Sequence, residues 1–303
     1  MQRLRKDKVA VVCSAIILVL IVLGVFAPVI SNLWGVCYNG APGCPHNYDV
    51  LSGDGYPAVG PPFNDFTWAH PLGLEPNTGY DNLARLLYGL RTSLAIATLA
   101  TVLTTVMGIA IGLVAGFARG WVDRVISFVI DLFLAFPFLL GALALAPILT
   151  SRFSQDIDKL GKAQIIGLVT VLVVFTWMGL ARLIRGEVLS LREREFVQAA
   201  QVMGVPTHRI LIKELLPNLT APIIVATSLA LPAFVAAEAG LSYLGIGLTS
   251  VPSLGRTIFA AVNYFENYPL YLWSPVILVM LLVVALNLLG DSIRDAFDPK
   301  TRR

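Results

Sequence analysis

Six stretches of this chain are each long enough and apolar enough to cross a membrane as a helix, and no other feature restricts its fold as strongly. They cover residues 9–30, 93–117, 125–149, 163–184, 221–244 and 271–289, against the roughly 20 residues that span a hydrocarbon core of about 30 Å. A chain that is 56% hydrophobic and 14% charged over 303 residues does not have the balance of a water-soluble domain. The expected fold class is therefore an all-α membrane protein with six transmembrane helices. Arg3, Arg5, Lys6 and Lys8 precede the first run. That run is too long for a signal core and lacks a small-x-small cleavage pattern, so a retained helix is expected.

The basic residues set an expected orientation. No Lys or Arg falls between residues 31 and 84, whereas Asp49, Asp54, Asp65, Glu75 and Asp81 do, so this loop is expected outside and both termini in the cytoplasm. Alternation then places Arg119, Arg124, the segment from Arg192 to Lys213 and the tail with Arg294 and Lys300 inside. Only Arg152, Lys159 and Lys162 run against the rule. Topology accounts for the net charge of +3, which calls for membrane lipid and no nucleic acid as partner.

Between the fourth and fifth runs lies REREFVQAAQVMGVPTHRILIKELLP, residues 192–217. Phe196, Ala199, Ala200 and Met203 fall at i, i+3, i+4 and i+7, so one face of a short helix is expected to be apolar and small. Gly204 is expected to end it, Pro206 to delay the next helix, Thr207 to cap that helix and Pro217 to close the unit. Such a helix-stop-helix implies a docked partner; the competing reading is an amphipathic loop lying on anionic lipid.

Several chemistries lack their motifs. There is no GxxxxGK[ST] loop, since Gly161-Lys162 is followed by Ala163, and no HExxH or CxxC spacing. His46, His70 and His208 are scattered, and no nucleophile setting is recognisable. Gly108, Gly112 and Gly116 share a helix face and predict close helix packing. Pro137, Pro147 and Pro232 predict kinks. Cys13 reads as packing. Cys37 and Cys44 flank a Gly-Pro turn in the outer loop and read either as an external disulfide or as two free thiols. The candidates for a pathway or gate are Asp131, Arg182, Glu238 and Tyr243. Asp131 and Arg182 could instead be solvated at the interface. Glu238, about 25 Å along its helix from Ala221, could instead tie residues 241–247 to a neighbouring helix. An ion-coupled secondary transporter would need paired broken helices and central acids, neither evident in the sequence. A membrane-embedded enzyme would need converging catalytic groups.

The segment Gln198-Ala199-Ala200 with Gly204, followed by Leu216-Pro217, resembles the EAA loop of importer permeases of the ATP-binding-cassette class. YGLRTSL (88–94), AGFARGWVDR (115–124), DLFLAFP (131–137), ARLIRGEVLSLREREFVQAA (181–200), LLPN (215–218), EAGLSYLGIG (238–247) and NLLGDSIRDAFDP (287–299) resemble the dipeptide, oligopeptide and nickel branch, in its second or C-type subunit. The resemblance implies a type I importer permease in a bacterial or archaeal plasma membrane. It implies a homologous second permease, one or two ATPase subunits and an extracytoplasmic solute-binding protein as partners. ATP and Mg would be bound by those ATPases, with no cofactor, metal or catalytic site in this chain. The cargo implied is a peptide or peptide-like solute, the alternatives being nickel, another metal chelate or haem. Phe196, Gln198, Ala199, Ala200, Met203, Gly204, Glu214, Leu216 and Pro217 would form the ATPase-coupling site. The implied organisation is a first segment 1–31, an extracytoplasmic loop or cap 32–90, a five-helix core 91–292 and a tail 293–303. This chain departs from the branch at Gln198, where an acid is usual, and at Glu214, where histidine is usual. HPLG (70–73) matches, but the stretch after it keeps only Gly79, Asp81 and Arg85, and the outer loop is longer.

Overall fold

A computed structural model describes residues 7–38, 51–57, 67–151 and 157–297. Among these residues the secondary structure is helical, with only two isolated β-bridges. Helix α1 (Lys8–Val25) is followed by the short α2 (Ala27–Trp34), α3 (Asn82–Phe117), α4 (Trp121–Ala135), α5 (Phe138–Thr150), α6 (Ile157–Val174) and α7 (Trp177–Leu191). Then come α8 (Glu195–Val202), a helical run from α9 (Thr207–Arg209) to α10 (Leu216–Asn218), α11 (Thr220–Tyr243), α12 (Leu254–Ala261) and α13 (Pro269–Phe297). Five segments are long and apolar enough to cross a membrane, one of them made of α6 and α7 together, and α4 with α5, taken as one broken span, would make a sixth.

The apolar runs locate the spans, and the helices correct their shapes. The third run does not merely kink at Pro137: α4 and α5 meet at 90°, because Pro137 has no N–H to continue α4 and Phe136 before it is extended. Pro147 and Pro232 lie inside helices that continue through them. The first run breaks at Phe26, ahead of Pro28, and the fourth at Phe175-Thr176.

The glycine face sets the closest packing in the bundle. A Cβ at Gly108 would stand 2.9 Å from Leu180 Cβ, one at Gly112 2.7 Å from the Ala181 carbonyl oxygen, and one at Gly116 2.6 Å from Val188 Cβ. Helix α3 thus seats its backbone against α7 over two turns, which dispersion contacts favour where lipid gives no hydrophobic drive. Apolar side chains such as Leu18, Val106, Phe128 and Ile166 remain exposed, as expected of helix faces that meet lipid. Cys13 is buried in the main core with Ile17 and Leu20.

The two ends of the bundle are tied differently. At one end Asp7 caps α1 by accepting from Val9 N–H (3.0 Å) and accepts from Ser292 Oγ on α13 (2.9 Å). The Ser292 hydroxyl, and next the Val9 N–H, hold its carboxyl below the usual carboxylate range. A lowered folded pKa stabilises the fold above the unfolded value of about 3.9, and that contribution is lost as pH falls through the folded value. Asp7→Ala is therefore expected to lower the melting temperature at pH 7, and the gap to wild type should close on acidification, as a pH series of melts in detergent would report.

At the other end residues 67–81 fold onto the helix ends. Asp81 caps α3 by accepting from Leu83 and Ala84 N–H (2.8 and 3.1 Å) while His70 Nδ1 contacts its other oxygen at 2.7 Å. Glu75 pairs with Arg85, both buried, and accepts from Tyr271 Oη at the start of α13 (2.7 Å). Asn77 donates to Tyr264 Oη (2.8 Å). A buried carboxylate with this many partners fixes the loop's position, because unpaired it would carry a desolvation cost of several kcal/mol. The loop is thus ordered over this stretch. Cys44 lies outside the described residues, so the choice between a disulfide with Cys37 and two free thiols does too; Cys37 is half-buried and its carbonyl accepts from Asp81 N–H.

Candidate coupling site

The segment 192–217 projects from the end of the α3–α7 pair. Helix α8 ends in a left-handed glycine: Gly204 has φ +73°, its N–H donates to the Gln201 carbonyl (3.0 Å), and Val205 N–H donates to the Ala200 carbonyl (3.0 Å). These two bonds form a Schellman stop, with Val205 packed in the cluster that contains Ala200. The expected role of Gly204 as the terminator is borne out in the geometry.

Beyond Gly204 the chain departs from expectation. Pro206, not Thr207, is the cap residue, and Thr207 makes no capping side-chain bond. Pro217 does not close the unit, because it sits in the first turn of α10 and the chain remains helical into α11. Residues Ile210–Leu215 form a π-helical turn in which Leu216 N–H reaches back to the Leu211 carbonyl. The wider turn ahead of Pro217 accommodates a residue with no N–H to offer.

The two faces of α8 also divide differently. Val197 and Ala200 point inward and are buried with Ile210 and Leu215 against Ile184 and Val188 of α7 and Leu113 of α3. Outward lie Phe196 (40% exposed), Met203 (74%) and Val202 (88%), together with Ala199. Ala200 therefore anchors the unit and does not share the exposed face. Val202, which the sequence reading missed, replaces it there; its only signal was position i+3 from Ala199. Gln198 is exposed and donates to the Glu193 carbonyl (3.2 Å). Glu214 is half-buried, Leu216 packs on the inner cluster and Pro217 is exposed.

Ion pairs clamp α4 to α7 beside this unit. Arg182 donates to Asp131 at 2.9 Å with both side chains exposed, so these two candidates meet. Arg185 grips Asp123 with two bonds, 2.8 and 3.1 Å, in a less exposed setting. Sequence reasoning did not pair them, although Arg182 and Arg185 are one turn apart on α7. Arg192 donates to the Gly116 carbonyl (3.1 Å), covering the end of α3.

Glu238 and Tyr243 belong to the opposite end. Glu238 is fully buried where α11 meets α3 and α12, accepts from Ser242 Oγ (2.8 Å) and has Ser93 and Ser253 as neighbours. Ser93 Oγ accepts from Leu254 N–H (3.1 Å), so this cluster joins the three helices. Gln164 of α6 adds a second tie, donating to Thr249 Oγ1 (2.6 Å) and accepting from Thr249 N–H and Ser250 Oγ. The geometry favours the reading in which Glu238 fastens residues 241–247 to neighbouring helices. Tyr243 is exposed and meets Phe259 edge-on. Arg256 lies 5.2 Å above the Phe259 ring; burial, and next the nearby Arg85, draw its pKa below the usual arginine value.

Between these ends a groove of about 380 Å³ runs among α3, α7 and α11, with Thr104, Thr105, Thr176 and Thr227 on otherwise apolar walls. Thr104 and Thr176 hydroxyls lie 3.4 Å apart, and those of Thr105 and Thr227 3.3 Å apart. Sequence reasoning did not select these threonines, which look ordinary in an apolar helix.

Residues 108–303, from the glycine face through α8–α10 to the last helix, match the family described as "Binding-protein-dependent transport system inner membrane component". The chain belongs to that family. Residues 1–58 of this permease match the N-terminal TM domain of oligopeptide transport permease C. It is 34% identical over 259 residues to the oligopeptide transport system permease protein OppC of Mycobacterium tuberculosis H37Rv, covering 85% of this chain and 83% of that one. It is 38% identical over 239 residues to OppC of Escherichia coli K12, covering 78% and 75%, and 31% identical over 304 residues to the dipeptide permease DppC of Alkalihalophilus pseudofirmus, covering 99% and 89%. An inward-facing structure of the MetNI methionine ABC transporter superposes with TM-score 0.56 at 20% identity over 71% of this permease and 96% of that chain. The shared fold is that of a type I importer permease.

Proposed function

We propose that this permease forms half of the path by which an ATP-driven importer carries peptides or peptide-like solutes. The observation that carries the reading is the exposed apolar face of Phe196, Ala199, Val202 and Met203, held by the Gly204 stop on an end of the bundle that no span buries. The basic segments support a cytoplasmic location for that face, with both termini on the same side. One or two ATPase subunits bind ATP and Mg there, and this chain contributes no catalytic group. A homologous permease supplies the other half of the path, and an extracytoplasmic binding protein delivers the solute. The names of the oligopeptide and dipeptide relatives support the cargo class.

The mechanical route follows the packing. A push on α8 reaches Val197 and Ala200, passes to Ile184 and Val188, and so moves α7. Helix α3 follows because Gly108, Gly112 and Gly116 let Leu180, Ile184 and Val188 of α7 pack directly on its backbone, leaving little slack between the two helices. The threonine groove lies between these helices and α11, where uncharged hydroxyls suit a peptide backbone of no fixed side-chain identity. The clamp Arg185–Asp123 makes α4 move with α7.

Uptake by a deletion strain, measured over a panel of peptides, nickel, other chelates and haem with the binding protein present, tests the cargo. Peptide uptake restored only by the full set of subunits is the expected result. Restoration of nickel or haem uptake with none of peptides would replace the cargo assignment.

A further inference from the structure

Arg91 is an exposed cation at the membrane end of α3, beside a pocket that is apolar farther down. It lies on α3 two residues before the apolar run 93–117 begins and is exposed. None of the ion pairs found among the described residues involves it. Helix α3 has 36 residues, about 54 Å at 1.5 Å per residue, so it overshoots a core of about 30 Å. Its first turns therefore stand in the headgroup layer and Arg91 marks the boundary.

The surroundings of Arg91 have the two-part character of a lipid. A pocket of about 290 Å³ is lined at its top by Arg91, Tyr38 and Tyr88 and lower down by Ala95, Leu99 and Ile165. The two tyrosine rings lie tilted against each other with 4.1 Å between centroids, at the depth where tyrosine is enriched in membrane proteins. Below the pocket Leu99, Val102 and Val106 continue an exposed stripe down the same face of α3. A guanidinium above an apolar slot of this kind complements a phosphate ester with an acyl chain attached.

We infer that this pocket binds one anionic phospholipid, its phosphate on Arg91 and one acyl chain along Ala95, Leu99 and Val102, in the leaflet that faces the 32–90 loop. Gly24 of α1 packs against the Arg91 backbone, so the bound lipid would also brace the α1–α3 contact. The inference needs only that the chain spans a membrane and is independent of the solute carried.

Native mass spectrometry of the full chain assembled with its partner subunits, titrated with phosphatidylglycerol, tests it. Wild type is expected to hold one phosphatidylglycerol per chain about tenfold more tightly than Arg91→Gln, while diacylglycerol, which lacks the phosphate, binds both alike. Equal phosphatidylglycerol affinity in the two proteins would overturn the inference, as would Arg91-dependent binding of inorganic phosphate that phosphatidylglycerol does not displace. Fluorescence of Leu99→Trp provides a second reading. Stronger quenching by brominated phosphatidylglycerol than in the Arg91→Gln background is expected, and no quenching in the assembled complex would show that a partner subunit covers this face instead.

Discussion

Replacing Gly112 with leucine is expected to separate α3 from α7 and abolish both assembly and uptake. The first added carbon would already stand 2.7 Å from the Ala181 carbonyl oxygen and from Ile184 Cβ, and backbone cannot yield as a flexible side chain does. Overpacking of this kind costs about 1–3 kcal/mol where neighbours can shift, occasionally more. Leucine adds three more carbons beyond that contact, so the upper end is the expected outcome. A melting curve in detergent should fall by many degrees, and the permease should no longer co-purify with its partners. Gly186→Ala on α7 is the matched control, because a Cβ there meets nothing within 4 Å; it should be close to neutral. Equal tolerance at both sites would mean that α3 and α7 do not pack through glycine.

Gly204→Val is expected to leave the protein inserted and folded but to cut uptake and substrate-stimulated ATP hydrolysis at least tenfold. Space is not the obstacle, since a Cβ at Gly204 has no neighbour within 4 Å. The backbone is: φ of +73° is a left-handed conformation that costs an L-residue roughly 1–2 kcal/mol, and more for a β-branched one. Relief of that strain would release the bonds from Gly204 and Val205 to α8 and swing Val202 and Met203 out of register. Because Val197 and Ala200 remain buried on α7, the damage should be confined to the coupling face. Gly204→Asn, which tolerates the left-handed region, should restore part of the activity. Unchanged uptake in the valine variant would contradict a coupling role for this turn.

Much of this fold is legible because membrane helices obey few rules. The apolar runs, the spacing of Gly108, Gly112 and Gly116, and the stop at Gly204 each have one physical cause and appear where that cause predicts. The misreadings arise where two causes compete. Pro137 announces a break but not its angle, because a 90° turn depends on what α5 packs against. Pro147 and Pro232, by contrast, lie inside helices that continue past them. Helix α8 is apolar on both sides, so periodicity alone could not decide whether Ala200 or Val202 faces outward; burial against Ile184 and Val188 decides it. Pairings such as Arg185 with Asp123 or Tyr271 with Glu75 join residues 62 and 196 positions apart. Nothing local in the sequence connects them.

The coupling claim meets its most direct test in a cross-link from the exposed tip of α8. Met203→Cys, in permease assembled with its ATPase subunits in membranes, should cross-link to an ATPase through a short bifunctional thiol reagent, with a yield that changes on ATP binding. Tyr243→Cys, at the opposite end of α11, should not. Labelling of Met203→Cys by a water-soluble thiol reagent, with no cross-link to any ATPase, would contradict a coupling role for α8.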